Sequence, residues 1–258
     1  MFVVPPIDGL ASRSIDSESP VAGGTGRQRV LILNDRAFDA TTLQQVVAAV
    51  LPRAETFRTA KICEAASLLA VAPVDLLITN LDTADGDVFD LLLALHRQPD
   101  RVRATLVVAT HSEPRLLQML HKLDIAGVFD AISESPSQLA EALRDVAGGR
   151  KYWSQDLLER LRRKSDQVGS LACLLTPYEE LVLAVIGDGS DDTTAAVSLG
   201  IKPSAVHSIR RNLHRKLGVQ YRSGLIQVAV RYGVVRFTEN GVVRPGLALL
   251  RAACGRSR

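Results

Sequence analysis

Through the first half of the chain, short apolar runs alternate with amphipathic stretches. Val30-Leu31-Ile32-Leu33 ends in Asn34-Asp35 and leads into a helical pattern over 42–51. The same order recurs three times. Leu76-Leu77-Ile78-Thr79-Asn80 precedes 88–96, Thr105-Leu106-Val107-Val108-Ala109 precedes 114–123, and Val128-Phe129 precedes 136–147. Runs that are apolar on both faces belong in a parallel sheet covered on both sides, and the helices between them, of about 10 to 15 residues, supply the crossovers. The pattern predicts an α/β, doubly wound parallel sheet. Ligands of such sheets sit beyond the carboxyl ends of the strands, which gathers Asn34, Asp35, Asn80, Asp82 and Thr110 around one crevice.

The period changes in the second half. Leu175-Thr176-Pro177-Tyr178-Glu179 reads as a helix entry, with Thr176 as N-cap, Pro177 at the first helical position and Glu179 closing a capping box. An apolar helix runs to Ile186, and 187–190 breaks it. Asp191 or Asp192 caps a short helix over 193–199, Gly200-Ile201 turns the chain, and Pro203 opens a longer helix over 203–217. Helix, short helix, glycine turn, helix is the helix-turn-helix plan of a small all-α domain. At 100° per residue, Val206, Ile209, Leu213 and Leu217 form one core-facing stripe. Ser204, Ser208, Arg211 and Arg215 point the opposite way, with His207 and His214 on one flank and Asn212 on the other. That outward face holds donors, acceptors and cations without an acid, a composition suited to base edges and phosphates in the major groove of DNA.

Composition sharpens this picture. The 258 residues are 47% hydrophobic and 23% charged, enough for two folded units. No run approaches the roughly 20 apolar residues of a membrane span. The start, Met1-Phe2-Val3-Val4-Pro5-Pro6, lacks the basic and apolar regions of a signal peptide, so a soluble, cytoplasmic protein without membrane partners is expected. Net charge over 30–149 is −6 (10 basic, 16 acidic), over 150–170 it is +3 (6 against 3), and over 171–258 it is +6 (12 against 6). An acidic unit joined to a basic one points to a polyanionic partner for the second.

Cys63, Cys173 and Cys254 are odd in number and far apart, as suits reduced structural thiols. The histidines lack metal-ligand spacing. The run Asp188-Gly189-Ser190-Asp191-Asp192 lacks the 12-residue spacing of a calcium loop. Neither a nucleophile turn nor a dinucleotide fingerprint appears. No metal, cofactor or enzymatic activity is expected.

On the residues quoted, the first half resembles the receiver domain of bacterial response regulators. The resemblance implies a five-stranded, flavodoxin-like sheet with a phosphorylation pocket in its crevice. It places Asn34 and Asp35 at the acidic pair that holds Mg²⁺, Asn80 at the phosphoacceptor aspartate, Thr110 at the Ser/Thr position, and Ala131, or Ile132, at the lysine. No lysine lies between Lys122 and Lys151. An amide is a poor nucleophile toward a phosphoryl group, and one carboxylate is a meagre ligand set for Mg²⁺. The pocket is expected to be degenerate, with Asp82 as the alternative acceptor.

The stretch from Leu175 to Lys216-Leu217-Gly218-Val219 resembles the LuxR-type helix-turn-helix domain of NarL/FixJ-family regulators. The resemblance implies that His207, Ser208 and Arg211 approach bases while Arg210, Arg215 and Lys216 hold phosphates, and that a helix over 222–232 dimerises. Lys202 stands where a Ser or Thr usually caps the reading helix, and Ile209 replaces a polar residue.

The expected organisation is a flexible tail (1–28), a receiver-like domain (29–149), a linker helix (150–170), the DNA-binding domain (171–235) and an extension (236–258) in which 247–253 forms a short helix. Ser154 is expected to cap 155–164, whose Leu157, Leu158 and Leu161 pack on a neighbour while Arg160, Arg162, Arg163 and Lys164 form a basic face. The expected function is that of a dimeric transcriptional regulator of double-stranded promoter DNA, with a protein or small-molecule effector at a receiver that works without phosphorylation. The alternatives are an interaction module and a phosphorelay output through Asp82.

Overall fold

The computed structural model describes residues 27–110, 113–165, 171–238 and 241–255, so the tail expected at 1–28 lies almost wholly outside them. Six parallel strands form one sheet in the order β2-β1-β3-β4-β5-β6: β1 (Arg29–Leu33), β2 (Glu55–Thr59), β3 (Val74–Asn80), β4 (Val102–Ala109), β5 (Gly127–Asp130) and β6 (Tyr152–Trp153). The side chains divide with the period of two that a strand imposes. Leu31, Leu33, Leu77, Val107 and Val128 enter one core, beneath α2 (Ile62–Val71), α3 (Val88–His96) and α4 (Pro114–Lys122). Val30, Ile32, Leu76, Ile78, Leu106 and Phe129 enter the other, beneath α1 (Ala37–Val50) and α5 (Pro136–Ala147). Helices on both faces make this the doubly wound sheet that the pattern predicts.

The sheet has one strand more than the five expected. Tyr152–Trp153 pairs in parallel with Gly127 and Val128, and its two residues are too few to give a readable run. β2 also escapes the pattern, because it is an edge strand whose Glu55 and Arg58 are exposed. After β6, Ser154 is buried at the entry to α6 (Gln155–Ser165). Leu157 of α6 is fully buried in the core beneath α3 and α4, and Leu161 packs against it. The side chains of Arg163 and Lys164 lie outside the described residues.

The second unit contains α7 (Leu171–Leu174), α8 (Pro177–Ile186), α9 (Asp192–Leu199), α10 (Pro203–Leu217) and α11 (Arg222–Arg231) around a core of its own. The extension folds back. It forms an antiparallel hairpin, β7 (Arg236–Thr238) and β8 (Gly241–Val243), and then α12 (Leu247–Gly255). Leu249 of α12 packs against the core beneath α3, while Leu247 and Leu250 pack against that of α8. One helix therefore caulks both units.

Polar contacts fasten the same seam. The Gly246 N–H donates to Asp87 Oδ2 at 2.6 Å, and Arg115 donates through Nη1 to the carbonyls of Gly233 (3.0 Å) and Pro245 (2.9 Å) and through Nε to Glu180. Gly246 has φ +72°, and a Cβ there would strike the Met119 side chain, so only glycine suits this approach. Among the described residues, no helix is long and apolar enough to cross a membrane.

Candidate nucleic-acid interface and the crevice of the sheet

The helix-turn-helix is positioned by its caps. Thr176 Oγ1 accepts from the Glu179 N–H at 3.2 Å, and the Glu179 carboxylate accepts from the Thr176 N–H at 2.8 Å, closing the capping box at the start of α8. Asp191 Oδ1 accepts from the Thr194 N–H at 2.7 Å and caps α9, a bond that holds its carboxyl below the usual range. Gly200 supplies the left-handed turn (φ +68°), and Pro203 opens α10 behind Lys202, whose side chain makes no capping bond. Val206 and Leu213 are fully buried, with Ile209 and Leu217 packed beside them.

The opposite face of α10 is open. Ser204, His207, Ser208, Arg211, Asn212 and Arg215 are exposed. Ser208 Oγ donates back to the Ser204 carbonyl at 2.9 Å, and Arg215 Nη2 lies 3.4 Å from Asn212 Oδ1. The seven expected contact residues are not equivalent, however. Arg210 is only 17% exposed, paired with Asp192 on α9 at 2.5 Å, and Lys216 reaches Glu179 on α8 at 2.7 Å. Burial would raise the Glu179 carboxyl, but the bonds from Lys216 and Thr176 outweigh it and hold the group below its ordinary value. His207 Nδ1 also lies 3.4 Å from Asp192, so an acid of the neighbouring helix stands beside the acid-free face. His214 turns inward, its Nδ1 2.8 Å from the Val219 carbonyl, instead of sharing the outer flank with His207. These partners were invisible to the helical wheel, which gives the phase of one helix and not what the next one brings to it.

The crevice at the carboxyl edge of the sheet gathers the expected residues. Asn34 and Asn80 are buried at the ends of β1 and β3. Asn80 Nδ2 donates to Asp35 Oδ1 at 3.3 Å, while Asn34 Oδ1 accepts from the Arg36 N–H at 2.9 Å. Asn80 Oδ1 is buried without a partner among the described residues. One carboxylate, already facing an amide N–H, and two amides suit Mg²⁺ poorly, since the ion favours several anionic oxygens. Thr110 Oγ1 donates to Asp82 Oδ2 at 3.3 Å. Ala131 is exposed just past β5, where its N–H bonds the Ala109 carbonyl.

Sequence reasoning missed Arg236. From β7 its guanidinium reaches Asp82 at 2.5 Å and Glu113 at 3.5 Å, with 13% of the side chain exposed. A cation from the extension therefore stands at the mouth of the crevice. Asp82 and Arg236 are 154 residues apart, and no local signal links them.

Residues 174–229 match the family model described as bacterial regulatory proteins, luxR family. The chain carries a LuxR-family domain. Similar curated proteins include the transcriptional regulatory protein MctR of Rhizobium johnstonii, 34% identical over 101 residues (39% of this chain, 46% of that one). The transcriptional regulatory protein UhpA of Salmonella typhimurium is 31% identical over 127 residues (49% and 61%). The chain spans about half the length of the curated relatives it matches.

A solved structure of the RcsB response regulator of Salmonella typhimurium aligns over 81% of this chain and 99% of its own, with TM-score 0.55 and 20% identity. RcsB of Salmonella enterica serovar Typhimurium, bound to a promoter with a phosphomimetic, aligns over 78% and 97%, with TM-score 0.55 and 21% identity. At that identity the likeness is one of fold: a receiver-like sheet followed by a LuxR-family domain.

Proposed function

We propose that this protein is a bacterial transcriptional regulator that binds double-stranded promoter DNA as a dimer, in the cytoplasm and without enzymatic activity. α10 enters the major groove. Ser204, His207, Ser208 and Arg211 meet base edges, and Arg215 and Lys216 lie against phosphates, while Arg210, largely buried against Asp192, holds α10 on α9 instead of taking the expected phosphate contact. Two reading helices on a symmetric dimer address half-sites about 10 base pairs apart. The observation that carries this reading is the outward face of α10: its cations and hydrogen-bonding groups are exposed, and the interdomain seam lies on α8 and α12 instead. The luxR family match and the regulators among the relatives support it.

The test is a titration of full-length protein with promoter DNA by fluorescence anisotropy. Affinity should fall linearly in log–log form with salt, as displaced counterions require. Absence of binding at low salt, or an unchanged affinity in Arg211→Ala, would falsify the reading.

The receiver-like domain, in the same proposal, works without aspartate phosphorylation and takes its signal from a protein or small molecule. Asn80 is no nucleophile, and the carboxylate of Asp82 is engaged by Arg236 and Thr110. Incubation with a small phosphodonor and Mg²⁺ should leave the intact mass unchanged. A phosphoryl adduct abolished by Asp82→Asn would replace this reading with a phosphorelay output.

A further inference from the structure

Asp192 stands where α9 meets the outward face of α10, and its two carboxylate oxygens are used differently. Oδ1 lies 2.5 Å from Arg210 Nη2, in an ion pair with only 24% of the aspartate side chain and 17% of the arginine exposed. Oδ2 lies 3.4 Å from Nδ1 of His207. The His207 side chain is 64% exposed, so its ring stands on the open face with one nitrogen turned to an acid.

A neutral imidazole carries one N–H and one lone pair, and which nitrogen holds the hydrogen follows from what each one faces. An ionised carboxylate only accepts. Opposite Asp192, Nδ1 is therefore the nitrogen that carries the hydrogen, and Nε2 keeps the lone pair. Arg210 steadies the acid itself: its guanidinium is paired with Oδ1 and also reaches the Ser190 carbonyl at 3.5 Å, which holds the carboxylate in place.

We propose that Asp192 is a positioning residue for base recognition: through His207 Nδ1 it sets the tautomer of the ring, so that Nε2 reads the major groove as an acceptor. An acceptor matches the exocyclic amino groups, adenine N6 and cytosine N4, and not the keto oxygens, guanine O6 and thymine O4. One position of the bound site is thereby assigned to amino bases. This inference rests on the reading of α10 as the helix that enters the groove.

Asp192→Asn inverts the signal with little change of shape. Arg210 keeps the amide oxygen on its own side, because an NH₂ group turned toward a guanidinium would set donor against donor. The amide nitrogen is left facing His207, where it donates to Nδ1 and moves the ring hydrogen to Nε2. The outer nitrogen then offers a donor, which matches keto bases.

Two measurements on the full chain test this, both at about pH 8.5, where an ordinary imidazole is neutral. Nitrogen-15 NMR of the free protein, assigned with His207→Ala, should place the His207 hydrogen on Nδ1 in the parent and on Nε2 in Asp192→Asn. Selection from a pool of randomised duplexes, followed by sequencing, should reveal one position at which Asp192→Asn moves the amino-to-keto ratio at least about fivefold towards keto, the effect of a single hydrogen bond. His207→Ala should abolish the preference at that position, with or without Asp192→Asn. The parental tautomer and the His207→Ala selection do not depend on how well Asp192→Asn folds.

Hydrogen on Nε2 in the parent overturns the proposal, as does a base preference that Asp192→Asn or His207→Ala leaves in place. Either result with parental DNA binding intact leaves the reading of α10 standing. A parent that selects no duplex at all removes that reading and this one with it.

Discussion

In the sheet crevice, each remaining charge meets a partner inside the chain: Asp35 receives the Asn80 amide, and Asp82 receives Thr110 and Arg236. On α10 the arrangement is reversed. Arg211 makes no ion pair among the described residues, Arg215 bonds the Asn212 amide, and the acids Asp192 and Glu179 on the neighbouring helices are taken by Arg210 and Lys216. Charge answered within the fold holds elements together. Charge left facing water, as at Arg211 and Arg215 of α10, remains open to an external polyanion.

The largest effect expected from breaking that contrast comes from the packing that presents the face. Leu213 is fully buried, and Leu213→Ala should cost about 2–5 kcal/mol in denaturant unfolding. Arg211→Ala should come next, weakening promoter DNA by about 1–3 kcal/mol in an anisotropy titration, whereas Asn80→Ala should leave that affinity unchanged. Equal losses from the two would erase the distinction between the regions.

A pH profile probes the seam that joins them. Asp87 has its carboxyl pushed from 3.8 up to about 7, first by burial and then by Asp90, against the lowering effect of the Gly246 and Phe89 N–H groups. The unfolded chain releases this proton near pH 4 and the native protein holds it until about 7. Between those values the native state binds more protons, so this group's contribution to stability declines as pH rises. Asp87→Asn should flatten the profile of melting temperature against pH across that window. Lys216→Ala should be mildest. It removes an ion pair with a third of the lysine exposed, and should cost no more than about 1 kcal/mol in stability while lowering DNA affinity alike across sequences.

What the sequence revealed follows the range of the interactions concerned. Thr176, Asp191 and Gly200 act on residues within five positions, so the caps and the turn of the helix-turn-helix were readable. The buried strands β1, β3, β4 and β5 were readable because both their faces are apolar. β2 was hidden by the exposed charges of an edge, and β6 by its length. On α10 the helical phase correctly separated Val206 and Leu213 from Ser208 and Arg211, since phase is a property of one helix. The partners of Arg210, Lys216 and Arg236 come from other elements, brought together by folding alone.

The sheet's two rims constrain how copies of this molecule could join. On one side β2 presents Glu55 and Arg58, and on the other β6 offers only two residues. Neither provides the long, flat, apolar border that recruits a foreign strand. Edge-to-edge pairing of this sheet between copies is thereby disfavoured, and crowding in solution is not expected to zip sheets into ribbons.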